Sequence, residues 1–244
     1  MSRARTVFEM GLREYQRSPV LLVLLVFLPA YFILTFTYVM PTRPVPVALP
    51  GEGSTPIGMQ AVVAVLMTPI ATALVGGAGG LFLMQSARSV DSRLALTGLD
   101  VPTIVLARGA VLAIAAIVAA AVSTTVLAVT HVPDNPGWFL AATIVVGLMY
   151  GAIGALVGLV LNRLAGIYVL MFGPLLDMFL AQSPLTTDAH AIAPYLPSHY
   201  PMQVVFDAAF TATVDPTNLG LALAYLAAVA VLAILAFARV IRGT

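Results

Sequence analysis

Few side chains in this sequence can do chemistry, and the missing types narrow the field fastest. There is no Cys, so disulfides, thiolate metal sites and a cysteine nucleophile drop out together. All eleven basic residues are Arg and none is Lys. That removes a Walker A nucleotide site, whose loop places a Lys on the phosphates. Gly76-Gly77-Ala78-Gly79-Gly80 has the composition of a phosphate cradle but sits in an apolar stretch with no charge beside it. Close helix packing or a flexible break suits it better. The three histidines, His131, His190 and His199, stand outside every long apolar stretch. Ser198-His199 with Asp188 has the composition of a triad without its arrangement, and no acidic residue stands at ligand spacing with any His pair. Neither a catalytic site nor a metal site is expected. Asp177 differs. It is the one ionisable residue well inside a long apolar stretch. A carboxylate there must face a polar cavity, a partner, or headgroup water at the end of a short span.

The elements that position Asp177 follow from composition. Of 244 residues, 61% are apolar and 9% charged, and the mean hydropathy is +1.03. Soluble domains carry roughly 45–50% apolar and about 25% charged residues, so a water-soluble enzyme, a nucleic-acid binder and a disordered tail are excluded. A helix needs roughly 20 apolar residues to cross the hydrocarbon layer. Six stretches meet that requirement, at about 20–40, 58–84, 103–130, 138–161, 166–182 and 218–238, and only Arg108 interrupts them with a basic residue. No 10-residue segments of alternating polarity suggest barrel strands. The expected fold is an all-α polytopic membrane protein, residues 1–244 forming a single transmembrane domain with six transmembrane helices.

If the six spans alternate, Arg3, Arg5, Arg13, Arg17, Arg88, Arg93, Arg108, Arg163, Arg239 and Arg242 share one side and only Arg43 lies on the other. The positive-inside rule then places both termini in the cytoplasm of a cell membrane. Glu52, Asp134, Asp188, Asp207 and Asp215 fall outside. The first apolar run has about 21 residues and is followed by Met40-Pro41-Thr42-Arg43-Pro44 rather than a small-residue cleavage site, so it reads as a retained span. Before it, Ala4, Val7, Phe8, Gly11, Leu12 and Tyr15 make one helical stripe, an amphipathic interfacial helix over 3–18 that Ser18-Pro19 ends. The five prolines between Pro41 and Pro56 read as an extended outer connection with no packed core of its own. Residues 85–102 read as a cytoplasmic segment with a short charged helix that Gly98 ends, Pro102 opening the next helix. Residues 183–217 combine prolines with apolar pieces too short to cross, and read as a re-entrant or interfacial helix pair on the outer face. Gly147, Gly151, Gly154 and Gly158 form a small-residue stripe for a close helix neighbour, in this chain or another.

The arrangement resembles the permease subunits of type 2 ABC transporters. The likeness rests on the helix ending at Arg17-Ser18-Pro19, the six spans with both ends inside, the charged segment after span two, and the paired outer half-helices before span six. Its most motif-like piece is the run from Arg88 to Pro102, similar to the family's coupling helix. Gln85 or Ser86 stands where the family usually has an acidic residue. Leu196-Pro197-Ser198-His199-Tyr200-Pro201 resembles the step between the half-helices. The resemblance implies a half-transporter: a second permease, identical or paralogous, and separate ABC ATPase subunits that bind ATP and Mg, with no cofactor, metal or nucleic acid held by this chain. It implies ATPase contact through Arg88, Asp91, Arg93 and Leu94, and a substrate path along spans one, two and five. On span five, Met171, Phe172, Asp177 and Met178 are the candidates for the cavity wall. The expected function is export of a hydrophobic or amphiphilic molecule such as a drug, lipid or lipid-linked compound. The alternative, an ATP-independent secondary transporter or channel, would normally show several intramembrane charges or an internal repeat. An enzyme acting on lipids would need Asp, His or Ser clustered in the spans, and none cluster there.

Overall fold

The computed structural model of the protein describes residues 19–49, 53–96, 101–182, 184–185 and 191–242. The amphipathic helix expected over 3–18 lies outside the described residues. The chain forms α1 (Pro19–Val39), a hairpin of β1 (Pro44–Leu49) and β2 (Gly53–Gly58), α2 (Met59–Leu96), α3 (Val101–Leu127) and α4 (Pro136–Val160). It continues with α5 (Arg163–Pro174), which runs on as a π-helical segment (Leu175–Ala181), then a 3₁₀ turn (Ala193–Tyr195), α6 (His199–Phe210) and α7 (Pro216–Arg242). Among the described residues, five segments are long and apolar enough to cross a membrane: Met59–Gln85, Leu106–Leu127, Pro136–Val160, Arg163–Ala181 and Pro216–Phe237. The architecture is that of a helical multi-pass membrane protein. α1 is 21 residues long, and its described apolar stretch is Leu25–Val39.

α2 is the hub. About nine-tenths of its apolar window is buried, and its main neighbour is α4. The two glycine clusters face each other across this contact. A Cβ on Gly76 would run into the Gly147 carbonyl, one on Gly80 into the Gly151 carbonyl, and one on Gly154 into the Gly77 carbonyl. Without side chains the two backbones approach closely, which in lipid is a main source of helix association. The glycine stripe therefore finds its partner within this chain, and Gly76 to Gly80 lie in unbroken helix. On the α3 side, the Thr72 hydroxyl lies 3.0 Å from both Ser123 Oγ and the Thr68 carbonyl, joining α2 to α3 deep in the bundle.

The core concentrates at the hairpin end of the bundle. There Ile33, Leu66, Met67, Ile70, Phe139 and Met178 pack with Met202 and Phe206 of α6. The outer connection is not the core-free extended loop that its prolines suggested. Pro44 to Leu49 pairs antiparallel with Gly53 to Gly58, and Val47 and Leu49 are buried in the main core. The prolines fit because of strand parity. Met59 N–H donates to Arg43 O (3.1 Å) and Ala48 N–H turns away to Pro184 O (3.3 Å). Positions 44, 46 and 48 thus point their nitrogens off the ladder, where Pro forfeits nothing.

The charged helix expected within 85–102 is the end of α2, which continues without a break to Leu96, eleven residues past its apolar window at Gln85, and this adds about 16 Å at 1.5 Å per residue. One further expectation is corrected. Where a helix pair was expected before the last span, the described residues hold one helix, α6, and one 3₁₀ turn. Pro184, Pro194 and Pro197 leave no room for a longer helix in the described part before Ser198. α6 is packed on protein, with Pro201, Met202 and Val204 to Ala209 buried. Its last carbonyls, which no helix residue can satisfy, are taken by the α3–α4 connection. Asn135 N–H donates to Ala208 O (2.8 Å), Asn135 Nδ2 to Thr211 O (2.9 Å), and His131 Nε2 lies 3.1 Å from Ala209 O.

Candidate functional site

Asp177 lies in the π-helical segment that follows Pro174. Proline has no N–H to continue the α-helical ladder, and wide turns of this kind often mark functional positions. The carboxyl is buried, at 5% exposure, and it collects donors from two other elements. Tyr150 of α4 donates its hydroxyl to Oδ2 at 2.5 Å. Ser198, at the start of α6, donates its backbone N–H to Oδ2 (3.1 Å) and its hydroxyl to Oδ1 (2.6 Å). One carboxyl thus clasps α4, the end of α5 and the beginning of α6.

The clasp continues into an amide–imidazole chain. Gln182 Nε2 donates to Ala193 O (2.9 Å), which fixes its amide and leaves Oε1 facing His199 Nδ1 at 3.0 Å. Gln203 Nε2 lies 3.0 Å from His199 Nε2. With both amides as placed, each donor meets an acceptor when the imidazole is neutral, its proton on Nδ1, accepting from Gln203 at Nε2. Desolvation pushes the His199 pKa down, and the negative charge of Asp177 opposes that shift. Both geometry and burial keep this ring uncharged.

Ser198 and His199, adjacent in sequence, are engaged with different partners. The Ser198 hydroxyl is spent on Asp177, and His199 is engaged by two glutamines, so no nucleophile–base pair forms. Among the described residues no three His, Cys, Asp or Glu side chains come together as a metal site.

The four residues proposed for a cavity wall on span five divide into two pairs. Met171 and Phe172 are exposed, at 46% and 53%, on an apolar face with Leu164, Tyr168, Leu176 and Leu180. Asp177 and Met178 are buried, Asp177 in the clasp and Met178 in the main core. Arg88, Asp91, Arg93 and Leu94 fall on the part of α2 beyond its apolar window, and their side chains lie outside the described residues. Tyr150, Gln182 and Gln203 were not legible as partners. The available signal was the need of an intramembrane carboxylate for donors on neighbouring segments. At the other end of α5, Asn162 caps the helix by accepting from Ala165 N–H (2.9 Å). Gln85 Nε2 donates to Leu161 O (3.1 Å), and Arg163 lies 4.5 Å over the Phe82 ring, pinning the α4–α5 turn to α2.

Comparison with known proteins does not name a family. No family model matches the chain, and no curated protein matches it.

Proposed function

We propose that this chain is the permease subunit of an ATP-driven exporter, moving a hydrophobic or amphiphilic molecule such as a drug, lipid or lipid-linked compound. In this reading α1 is the first of six spans, both ends of the chain face the cytoplasm of a cell membrane, and a second permease completes the pathway. Separate ATPase subunits bind ATP and Mg and supply the energy, in keeping with a sequence that has no Lys for a Walker A loop.

The observation that carries the reading is the length of α2. A single helix runs from the glycine contacts with α4, through the apolar window, and on to Leu96. Arg88, Asp91, Arg93 and Leu94 sit on the projecting part, where an ATPase would grip. A push there moves the most buried helix of the bundle directly, with no flexible joint to absorb it.

The test is co-purification from the native membrane, followed by reconstitution. The wild-type chain carries an ATPase with it, and transport requires ATP. The triple substitution Asp91→Ala, Arg93→Ala and Leu94→Ala uncouples hydrolysis from transport while leaving the melting temperature unchanged. Transport by the chain alone, in vesicles lacking any ATPase, overturns the proposal.

A further inference from the structure

At the end of the bundle opposite the hairpin, α3 and α7 stand apart over the α2–α4 pair and leave a cavity of about 470 Å³. That is within the roughly 300–1,000 Å³ of small-molecule sites. Its walls are built from small residues, Gly109 and Ala113 on α3 and Ala230 and Ala233 on α7, and Leu83 and Phe237 are among its larger linings. A Cβ placed on Gly109 would meet nothing within 4 Å, so the space beside α3 is open. Arg108 is the single charged residue lining the cavity. It lies in the first turn of the apolar window Leu106–Leu127.

We infer that this cavity holds one acyl chain of an anionic phospholipid from the surrounding bilayer, with the phosphate against Arg108. In lipid no hydrophobic force drives α3 and α7 together, and an apolar space between them is filled by hydrocarbon of matching width. The small residues supply the width. A guanidinium at the mouth of an otherwise apolar slot selects a multi-acceptor anion, because its planar fork can give two phosphate oxygens parallel hydrogen bonds. Basic pockets between transmembrane helices at the arginine-rich face are recognised in this way by phosphorylated headgroups. Arg163 and Arg239 stand at the same end of the bundle as the cavity, and their charge favours an anionic headgroup over a zwitterionic one. This assignment does not depend on the exporter reading.

The experiment is native mass spectrometry of the full chain released from nanodiscs containing equimolar palmitoyl-oleoyl phosphatidylglycerol and phosphatidylcholine. The wild-type chain retains phosphatidylglycerol in preference to phosphatidylcholine, by roughly tenfold: both lipids offer a phosphate to Arg108, but the choline cation of phosphatidylcholine is repelled by the guanidinium. Arg108→Gln abolishes the preference. Gly109→Leu, whose Cβ meets no neighbour and whose side chain takes up part of the slot, removes retained lipid of either headgroup. Equal retention of the two lipids by the wild type, or an unchanged preference in Arg108→Gln, overturns the assignment. If Arg108→Gln does not fold, Gly109→Leu decides alone, and wild-type retention in that variant also overturns it. Cross-linking of two chains through cysteines placed at Gly109 and Ala233 would make the cavity a protein interface and overturn it as well.

Discussion

Alanine in place of two different glycines should move stability in opposite directions, and the structure sets both signs. At Gly80 the new methyl would be driven into the Gly151 carbonyl and would come within 2.9 Å of the Ala155 nitrogen. Both obstacles are backbone of α4 and cannot swing aside, so the helices must separate. Overpacking of this kind costs about 1–3 kcal/mol, and the better helix propensity of Ala returns about 1 kcal/mol. With two rigid neighbours the upper part of the range applies, leaving a net loss of about 2 kcal/mol. At Gly109 the methyl meets nothing, and only the propensity gain of roughly 0.5–1 kcal/mol remains. For a chain of this size each kcal/mol shifts the melting temperature by roughly 2–4 °C. Gly80→Ala should therefore melt about 4–8 °C below the wild type, and Gly109→Ala slightly above it. Trp138 is the only tryptophan and packs against the core at the start of α4, so its fluorescence in detergent reports the separation. Gly154→Ala, which meets the Gly77 carbonyl from the opposite side, tests the coupling. Once the first methyl has parted the helices, the second costs less, so the double variant loses less than the sum of the singles. Equal melting of Gly80→Ala and Gly109→Ala would refute the reasoning, because the α2–α4 contact would then not depend on bare backbone.

Other predictions rest on the clasp and the helix ends. Tyr150→Phe removes one donor from a buried carboxyl and should cost about 1.5–3 kcal/mol, read as lost protection of the Ser198 amide in hydrogen exchange; unchanged protection would contradict the geometry. His199 has a folded-state pKa below its ordinary 6.5 because of desolvation. The unfolded chain therefore binds the proton first as pH falls, and the contribution of the ring is fully present above about 6.5 and declines below that value. The melting temperature of the wild type should fall between about pH 7 and pH 5.5 by more than that of His199→Gln, and parallel curves would refute it. Asp215 accepts from Thr217 N–H at the start of α7 (2.9 Å), which lowers its pKa. Its cap is intact above the ordinary aspartate range and lost as pH drops through the lowered value, so the protection of the Thr217 amide relative to its intrinsic exchange rate should fall at low pH in the wild type and be low at all pH values in Asp215→Ala.

The apolar runs located the helices because a bilayer imposes one length and one composition on any crossing segment. The hairpin was hidden for the converse reason. Its prolines look hostile to a sheet, and only the three-dimensional parity that turns positions 44, 46 and 48 off the ladder makes them harmless. The charged helix within 85–102 was legible, but its continuity with the second span was hidden, since no residue around Gln85 tells a join from a break. The Gly76–Gly80 run and the glycine stripe on α4 were each legible as packing surfaces. Their pairing with one another is a fact of tertiary contact that no local spacing carries. Asp177 stood out because charge in a span is costly, yet its partners come from a neighbouring span and from a loop about twenty residues on, which only the fold brings together.

Uneven attachment of the helices decides which of them can move. α2 and α4 are joined backbone to backbone by glycines along several turns, so any relative shift breaks many close contacts at once. α5 is held differently. Along its length it meets α2 through soft side-chain contacts, as where Leu170 lies against Gly77 and Leu81 against Gly166. Its two ends are fixed by polar groups, the Gln85 and Arg163 contacts at one and the Asp177 clasp at the other. Soft contacts re-form after a small slide, whereas a carboxyl with three donors is either held or released. Displacement of α5 therefore concentrates its cost in the clasp, and the π-helical segment beside it gives the chain a place to change register without unwinding the rest of the helix. Under the proposed function, a push on the projecting part of α2 acts on this two-helix plank, and the element it shifts against the plank is α5, whose far end Asp177 holds.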